Sequence, residues 1–330
     1  MKTRLNYVDI ARALAILSIV LIHSIAYSAH CYEIYRFVFM FSVPLFFILS
    51  GCTFNIKNTE TFWQFFKRKF VRIMIPYFVW AIIFLIPYFI FGTDSGATGS
   101  EFLNIFYGNG VDAALKQNTP LWFLPALFTT EILYYFVIKY LHRGKAKFAI
   151  LPAAILIGFA STLLLQKIYL PWGINSALQI GVFFYLGYII KNQKINWWQA
   201  IIIAVAGVLA YIFNSKNNVV WADYIYYNYF LTLIAGAAFS ILIIEFSKLI
   251  NKNKLLEYIG KNTMSVLIFH KLIVYFCQFK FGAFSTWLQN SNLALELILA
   301  VVVSILAILF SLAADYILTK IKLKVLLGKS

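Results

Sequence analysis

The sequence predicts an all-α, polytopic integral membrane protein with about ten transmembrane helices and both termini in the cytoplasm. Three observations predict it. First, 62% of the 330 residues are hydrophobic and 12% are charged, against roughly 45–50% and about 25% in an ordinary soluble domain. Second, the apolar residues fall into runs long enough to cross a bilayer, which takes about 20 residues of helix. Third, the basic residues crowd into alternate connections between those runs. A soluble globule could not bury this much apolar surface, and a disordered chain would not carry it. The formal charge of +16 would point to nucleic acid in a soluble protein. Here it is read first as a topology signal.

The spans are expected at 8–27, 36–56, 73–92, 121–140, 148–166, 174–192, 197–214, 225–247, 263–280 and 294–319. The first lacks an A-x-A cleavage site and contains Arg12 and His23, so it reads as a span and not as a signal peptide. The second contains Pro44, a candidate kink, and ends in Ser50–Gly51, a small surface for close helix packing. The third follows a basic run and contains Pro76. Residues 93–120 are rich in Gly, Asn, Asp and Ser and form the longest loop, with a short interfacial helix at 101–107. The fourth span carries Glu131 and the ninth carries His270 and Lys271. No sizeable soluble domain fits around the spans, so residues 1–330 read as one membrane domain.

Charge fixes the orientation. With the N-terminus in the cytoplasm, 21 of the 28 basic residues fall on cytoplasmic segments and five on the opposite face, while Arg12 and Lys271 lie within spans. This is the positive-inside pattern, and dropping one span would break its alternation. Tryptophans 63, 80, 122, 172, 197, 198 and 221 sit at span ends, as an interfacial aromatic belt would. Trp122 is set apart as a candidate to line a site. The three cysteines form no CxxC pair or ligand cluster, so neither a disulfide framework nor a metal site is expected.

Ionisable groups inside a bilayer are expensive and mark function by default. Arg12 and His23 are 11 residues apart. At 100° per residue they share one helix face, about 16 Å apart along the axis. Asp9, one turn before Arg12, can pair with it. A lone histidine can also be a packing residue, and an arginine near a span end can snorkel. Glu131 either lines a cavity or bonds a neighbouring helix. Glu245 and Asp315 read as interfacial or structural, His30 and His142 as solvated loop residues. Lys67, Arg68, Lys69 and Arg72 read as a topology anchor or as a phosphate pocket, since Arg and Lys pair well with phosphate. No GxxxxGK[ST] or GxGxxG motif is present, so ATP-driven and dinucleotide chemistry are not indicated.

These residues sit in pieces that, together, resemble membrane acyltransferase family 3, integral-membrane enzymes that acylate bacterial surface sugars. The pieces are YVDIARALAILSIVLIH, VPLFFILSG, KRKFVRIMIPY, PLWFLPALF, FFYLGYII and IGKNTMSVLIFH, in family order and nearly end to end. The resemblance implies an acyl-CoA donor, most simply acetyl-CoA, on the cytoplasmic side. It implies a carbohydrate or lipid-linked sugar acceptor at or beyond the far side of the cell membrane. It places the catalytic role on His23, with Arg12 binding the donor or organising the site. Arg68, Lys69 and Arg72 are implied as contacts for the phosphates of CoA. Ser50, Trp122, Glu131 and His270 are further candidates to line the site. The larger members carry an SGNH-type hydrolase domain after the last span. None is expected here, which favours direct transfer within the membrane core.

A general base is what such chemistry needs, and neutral imidazole suits it. Asp9 lies about 21 Å along the helix from His23, too far to orient it. Glu131 is a candidate for that role. The main rival reading is a transporter or flippase for an envelope sugar or small metabolite, which intramembrane Arg, His and Glu would also suit. A non-catalytic partner in an envelope complex is the other.

Overall fold

A computed structural model describes residues 6–25, 31–57, 59–86, 100–111, 115–214, 219–224, 226–250, 252–280 and 292–329. His30 lies outside the described residues. Among them the chain is helical, with no strand. Among the described residues, six helices are long and apolar enough to cross a membrane. They are α1 (Asn6–Ser24), α2 (Tyr32–Thr53), the run Thr119–Leu141, α7 (Lys147–Leu164), α11 (Tyr229–Ile250) and α14 (Leu293–Lys320). The run Thr119–Leu141 comprises a 3-10 turn (Thr119–Trp122), α6 (Phe123–Phe136) and a π-helical segment (Val137–Leu141). A seventh counts if Pro171–Gln179 and Val182–Ile190, bent by 59°, form one broken span. The chain is therefore a multi-pass membrane protein built of helices.

The differences from the expected ten spans have local causes. The sixth expected span is the bent pair, in which α8 (Ile174–Gln179) stops and α9 (Val182–Ile190) restarts. Gly181 stands at the break, where a Cβ would lie 2.2 Å from the Ala177 carbonyl oxygen. The third expected span begins as a π-helix, Phe70–Met74, and continues as α4 (Ile75–Ile83), with Pro76 just past the π-helical segment, where the α-helical ladder is already interrupted. Residues 87–92 of that span lie outside the described residues. α10 (Trp197–Phe213) and the apolar part of α13 (Thr263–Lys280) are shorter than the others. The interfacial helix expected at 101–107 is α5 (Ser100–Tyr107).

The chain forms two compact units. One comprises residues 1–49, 194–219 and 226–317, the other 50–193, 220–225 and 318–330. In the first, α1 packs against α11, α13 and the short helix α12 (Lys254–Lys261), and α10 packs along α11. Small residues allow these approaches. A Cβ on Gly260 would lie 1.8 Å from the Asp9 carbonyl oxygen, and one on Gly207 would meet the Ala238 methyl at 2.7 Å. Ile10, Ala11, Ala13, Ala15 and Ile16, which point all around α1, are fully buried. In the second unit, α3 (Phe62–Lys69) is opened by a capping box between Thr61 and Gln64, which satisfies two orphan backbone donors. A Cβ on Gly51 would lie 1.9 Å from the Phe184 carbonyl oxygen, so the Ser50–Gly51 step is the contact surface the sequence suggested.

The tryptophans divide. Trp63, Trp197 and Trp198 are exposed, as a belt requires, whereas Trp80 and Trp221 are buried. Trp80 donates from Nε1 to the Leu326 carbonyl at 2.8 Å, and Trp221 meets Phe183 edge to face. A span-end position alone does not tell a lipid-facing indole from one turned into the protein.

Candidate active site

In the first unit the intramembrane candidates lie on α1 and α13. α1 is one uninterrupted helix through Arg12 and His23, so the spacing argument holds for their positions along it. Asp9 is buried, and its Oδ1 lies 3.8 Å from Nη1 of the partly exposed Arg12. His23 is half-buried in the last turn of α1. Its Nδ1 lies 2.9 Å from Nε2 of His270 on α13. The two rings meet edge to edge and nearly coplanar, with centroids 5.1 Å apart and planes 16° apart. His270 is fully buried, and its Nδ1 lies 2.7 Å from the Val266 carbonyl oxygen. Lys271 is half-buried, with its ammonium 5.1 Å from the centre of the Tyr275 ring. The structure thus joins His23 to His270, 247 residues away in sequence. Asp315 is also buried in this unit and accepts a hydrogen bond from Ser265.

The second unit holds the basic run. Arg68 makes a two-pronged contact with Glu60, Nε to Oε1 at 2.7 Å and Nη2 to Oε2 at 2.8 Å. That contact holds the Glu60 carboxyl below its ordinary range and raises the guanidinium. Lys69 is buried and donates from Nζ to Oε1 of Glu131 at 2.7 Å. The Phe54 and Phe65 rings flank the same ammonium at 5.6 and 5.7 Å. Arg72, on the π-helical segment, and Lys67 are exposed. Of the three residues implied as phosphate contacts, two therefore face carboxylates and Arg72 faces outward. Glu131, a candidate to orient His23, has Lys69 as its partner.

Ser50 is half-buried at the contact of Gly51 with Phe184. Trp122 closes the 3-10 turn before α6, where a Cβ on Gly110 would lie 2.7 Å from its side chain. An apolar crevice of about 300 Å³ lies between α6 and α8, lined by residues such as Thr129, Leu133, Ile174 and Leu178. It contains none of the candidate side chains. His142, expected in solvent, is instead half-buried. Its Nδ1 lies 2.8 Å from the Tyr185 hydroxyl, and its ring meets Tyr188 edge to face.

Two features were not legible from the sequence. Glu60 appears in no motif, and its spacing from Arg68 does not mark the two as partners. Trp172 holds a left-handed backbone, φ 53°, which costs an L-residue energy. It is pinned there by Nε1 donating to the Phe106 carbonyl at 2.8 Å and by its own carbonyl accepting from Thr129 at 2.7 Å.

Residues 5–315 match the model of an acyltransferase domain family, Acyl_transf_3. No curated protein and no solved structure gave a significant match. The match spans nearly the whole chain, and with the helical, multi-pass architecture it fixes the family: the chain belongs to membrane acyltransferase family 3.

Proposed function

We propose that this membrane acyltransferase moves an acetyl group from cytoplasmic acetyl-CoA to a hydroxyl of a cell-surface or lipid-linked carbohydrate, with His23 as general base. The observation that supports this reading is the His23 imidazole, half-buried at the end of an apolar helix and 2.9 Å from a second histidine. The chemistry is brief. The acceptor hydroxyl gives its proton to His23 as its oxygen bonds to the thioester carbonyl carbon. The carbon–sulfur bond then breaks, and the proton on His23 passes to the departing sulfur of CoA. A positioned base contributes typically 10²–10⁴-fold to such a transfer.

The donor's charge decides where it can rest. A nucleotide in hydrocarbon would be prohibitively costly, so the phosphates stay on the basic run at the cytoplasmic surface. Arg72 is the leading contact because it is exposed. Arg68 and Lys69 share their charge with Glu60 and Glu131 and contribute less. Arg12 and His23 are separated by about 16 Å of helix, close to the length of an extended pantetheine arm. Arg12 organises the site on the helix face it shares with His23. The protein works as a multi-pass enzyme of the cytoplasmic membrane.

Two measurements test the reading. Purified protein should release free CoA from acetyl-CoA only when acceptor is present, and His23→Ala should lose that release while still binding CoA. A carrier would consume no thioester. In cells, mass spectrometry of envelope glycans from a deletion strain should show the loss of an acetyl mass that wild type restores and His23→Ala does not. Restoration by His23→Ala would exclude His23 as the base.

A further inference from the structure

A histidine acts as a base only through a nitrogen that lacks hydrogen, so the tautomer of His23 matters as much as its position. The hydrogen bonds of His270 determine that tautomer. Nδ1 of His270 lies 2.7 Å from the Val266 carbonyl oxygen. A carbonyl only accepts, so this nitrogen carries the hydrogen. In a neutral imidazole the other nitrogen is then an acceptor. Nε2 of His270 therefore accepts at 2.9 Å from His23, and the shared hydrogen belongs to Nδ1 of His23. The same rule leaves Nε2 of His23 without hydrogen.

We propose that His270 is a positioning residue that locks His23 in the Nδ1–H tautomer and so makes Nε2 the catalytic base. This rests on His23 being the base. It answers the problem that Asp9 is too distant and that Glu131 is bonded to Lys69. The order is carbonyl of Val266, His270, His23, acceptor hydroxyl. It reproduces the logic of a triad without a carboxylate: one group holds the orienting residue, which in turn fixes which nitrogen of the base is basic. The nearly coplanar, edge-to-edge placement of the rings aims the hydrogen of one nitrogen at the lone pair of the other, and the full burial of His270 restrains its ring from turning over.

The proton inventory closes. Nε2 of His23 takes the hydroxyl proton as the new carbon–oxygen bond forms. The resulting imidazolium still donates from Nδ1 to Nε2 of His270, now as a stronger, charge-assisted bond. When the carbon–sulfur bond breaks, Nε2 returns its proton to sulfur and the pair regains its starting form. No proton moves between the two rings.

The test compares His270→Leu, which fills similar space but cannot accept, with His270→Gln, whose amide oxygen can. His23→Ala is assayed beside them. His270→Leu should lower kcat at least about tenfold, as loss of an orienting partner does, with CoA affinity, acceptor KM and melting midpoint unchanged. His270→Gln should recover most of the rate. If His23→Ala remains active, the base assignment itself fails. If His23→Ala is inactive but His270→Leu turns over like wild type, the positioning role is overturned and the base assignment stands. Equal loss in the Leu and Gln variants would show that ring shape matters and the accepted hydrogen bond does not. Should the Leu variant fail to fold, ¹⁵N spectra of histidine-labelled wild type, assigned with His23→Gln, read the tautomer directly. Hydrogen on Nε2 of His23 would overturn the proposal.

Discussion

Lys69 and Glu131 form an ion pair, Nζ to Oε1 at 2.7 Å, with the two side chains only 9% and 7% exposed. The second carboxylate oxygen, Oε2, is buried and receives no hydrogen bond from the described residues. Pairs of this kind are fragile in a specific way. Their mutual attraction barely repays the loss of hydration, but removing one partner strands the other charge at about 3–5 kcal/mol. Lys69→Met alone and Glu131→Leu alone should therefore each lower the melting midpoint strongly. The double variant should recover most of the loss, because two apolar side chains leave no stranded charge. Thermal unfolding in detergent measures this. A double variant as unstable as the worse single variant would mean that the pair contributes more than its own neutrality.

The close helix contacts give a second expectation. At Gly51 an added methyl would meet the Phe184 carbonyl oxygen at 1.9 Å, and at Gly260 the Asp9 carbonyl oxygen at 1.8 Å. Both obstacles are backbone, which cannot rotate aside. Overpacking a tight site costs typically 1–3 kcal/mol. Gly51→Ala and Gly260→Ala should reach or exceed that range. Gly207→Ala meets the Ala238 methyl at 2.7 Å, a contact that helix sliding relieves, and should cost less. Melting midpoints of the three variants set the order.

Much of the architecture was readable because a membrane helix announces itself locally. Its length is set by bilayer thickness and its ends by charge. The expected 101–107 and 197–214 thus match α5 and α10 within a residue or so. The bend between α8 and α9 was not readable. Both halves are apolar, and the break depends on how Gly181 meets Ala177. The site shows the same division. Arg12 and His23 were found together because they share a helix. The pairing of His23 with His270, and of Lys69 with Glu131, needs helices brought side by side from distant sequence. Nothing in the spacing of either residue specifies its partner. His142 was misread for a related reason. Its neighbours Arg143, Lys145 and Lys147 indicate a solvated loop, but Tyr185 and Tyr188 cover its ring.

That cover has a pH signature. Burial, helped by the positive charges of Lys147 and Lys191, pushes the His142 imidazole below its ordinary value. The folded protein therefore prefers this ring neutral. In the unfolded chain it titrates near about 6.5. Stability due to this difference is fully present above that value. It declines as pH falls toward the folded-state value, since the unfolded state then binds more protons. The melting midpoint should fall as the pH drops below about 6.5. His142→Gln should flatten that part of the profile and leave the midpoint above pH 7.5 little changed. An unchanged slope in the variant would assign the acid sensitivity to another group.

Donor binding should separate the members of the basic run. Arg72 is exposed on its π-helical segment, Arg68 is clamped on Glu60, and Lys69 is enclosed with Glu131. A phosphate approaching from water meets an exposed guanidinium without first displacing a carboxylate. A hydrogen bond to a charged group is worth about 1.5–3 kcal/mol, which corresponds to roughly 10- to 150-fold in affinity. Arg72→Glu should weaken CoA binding within or beyond that range, because it replaces attraction by repulsion. Lys69→Met paired with Glu131→Leu should change CoA affinity far less, since that ammonium is spent internally. Glu60→Gln should strengthen CoA binding modestly by freeing the Arg68 guanidinium. Titration of the purified protein with CoA at low and moderate salt tests all three, and the Arg72 contribution should shrink as salt rises. If Arg72→Glu binds CoA as wild type does while the Lys69–Glu131 double variant does not, the phosphates rest on the buried pair and the exposed arginine serves only the topology of the chain.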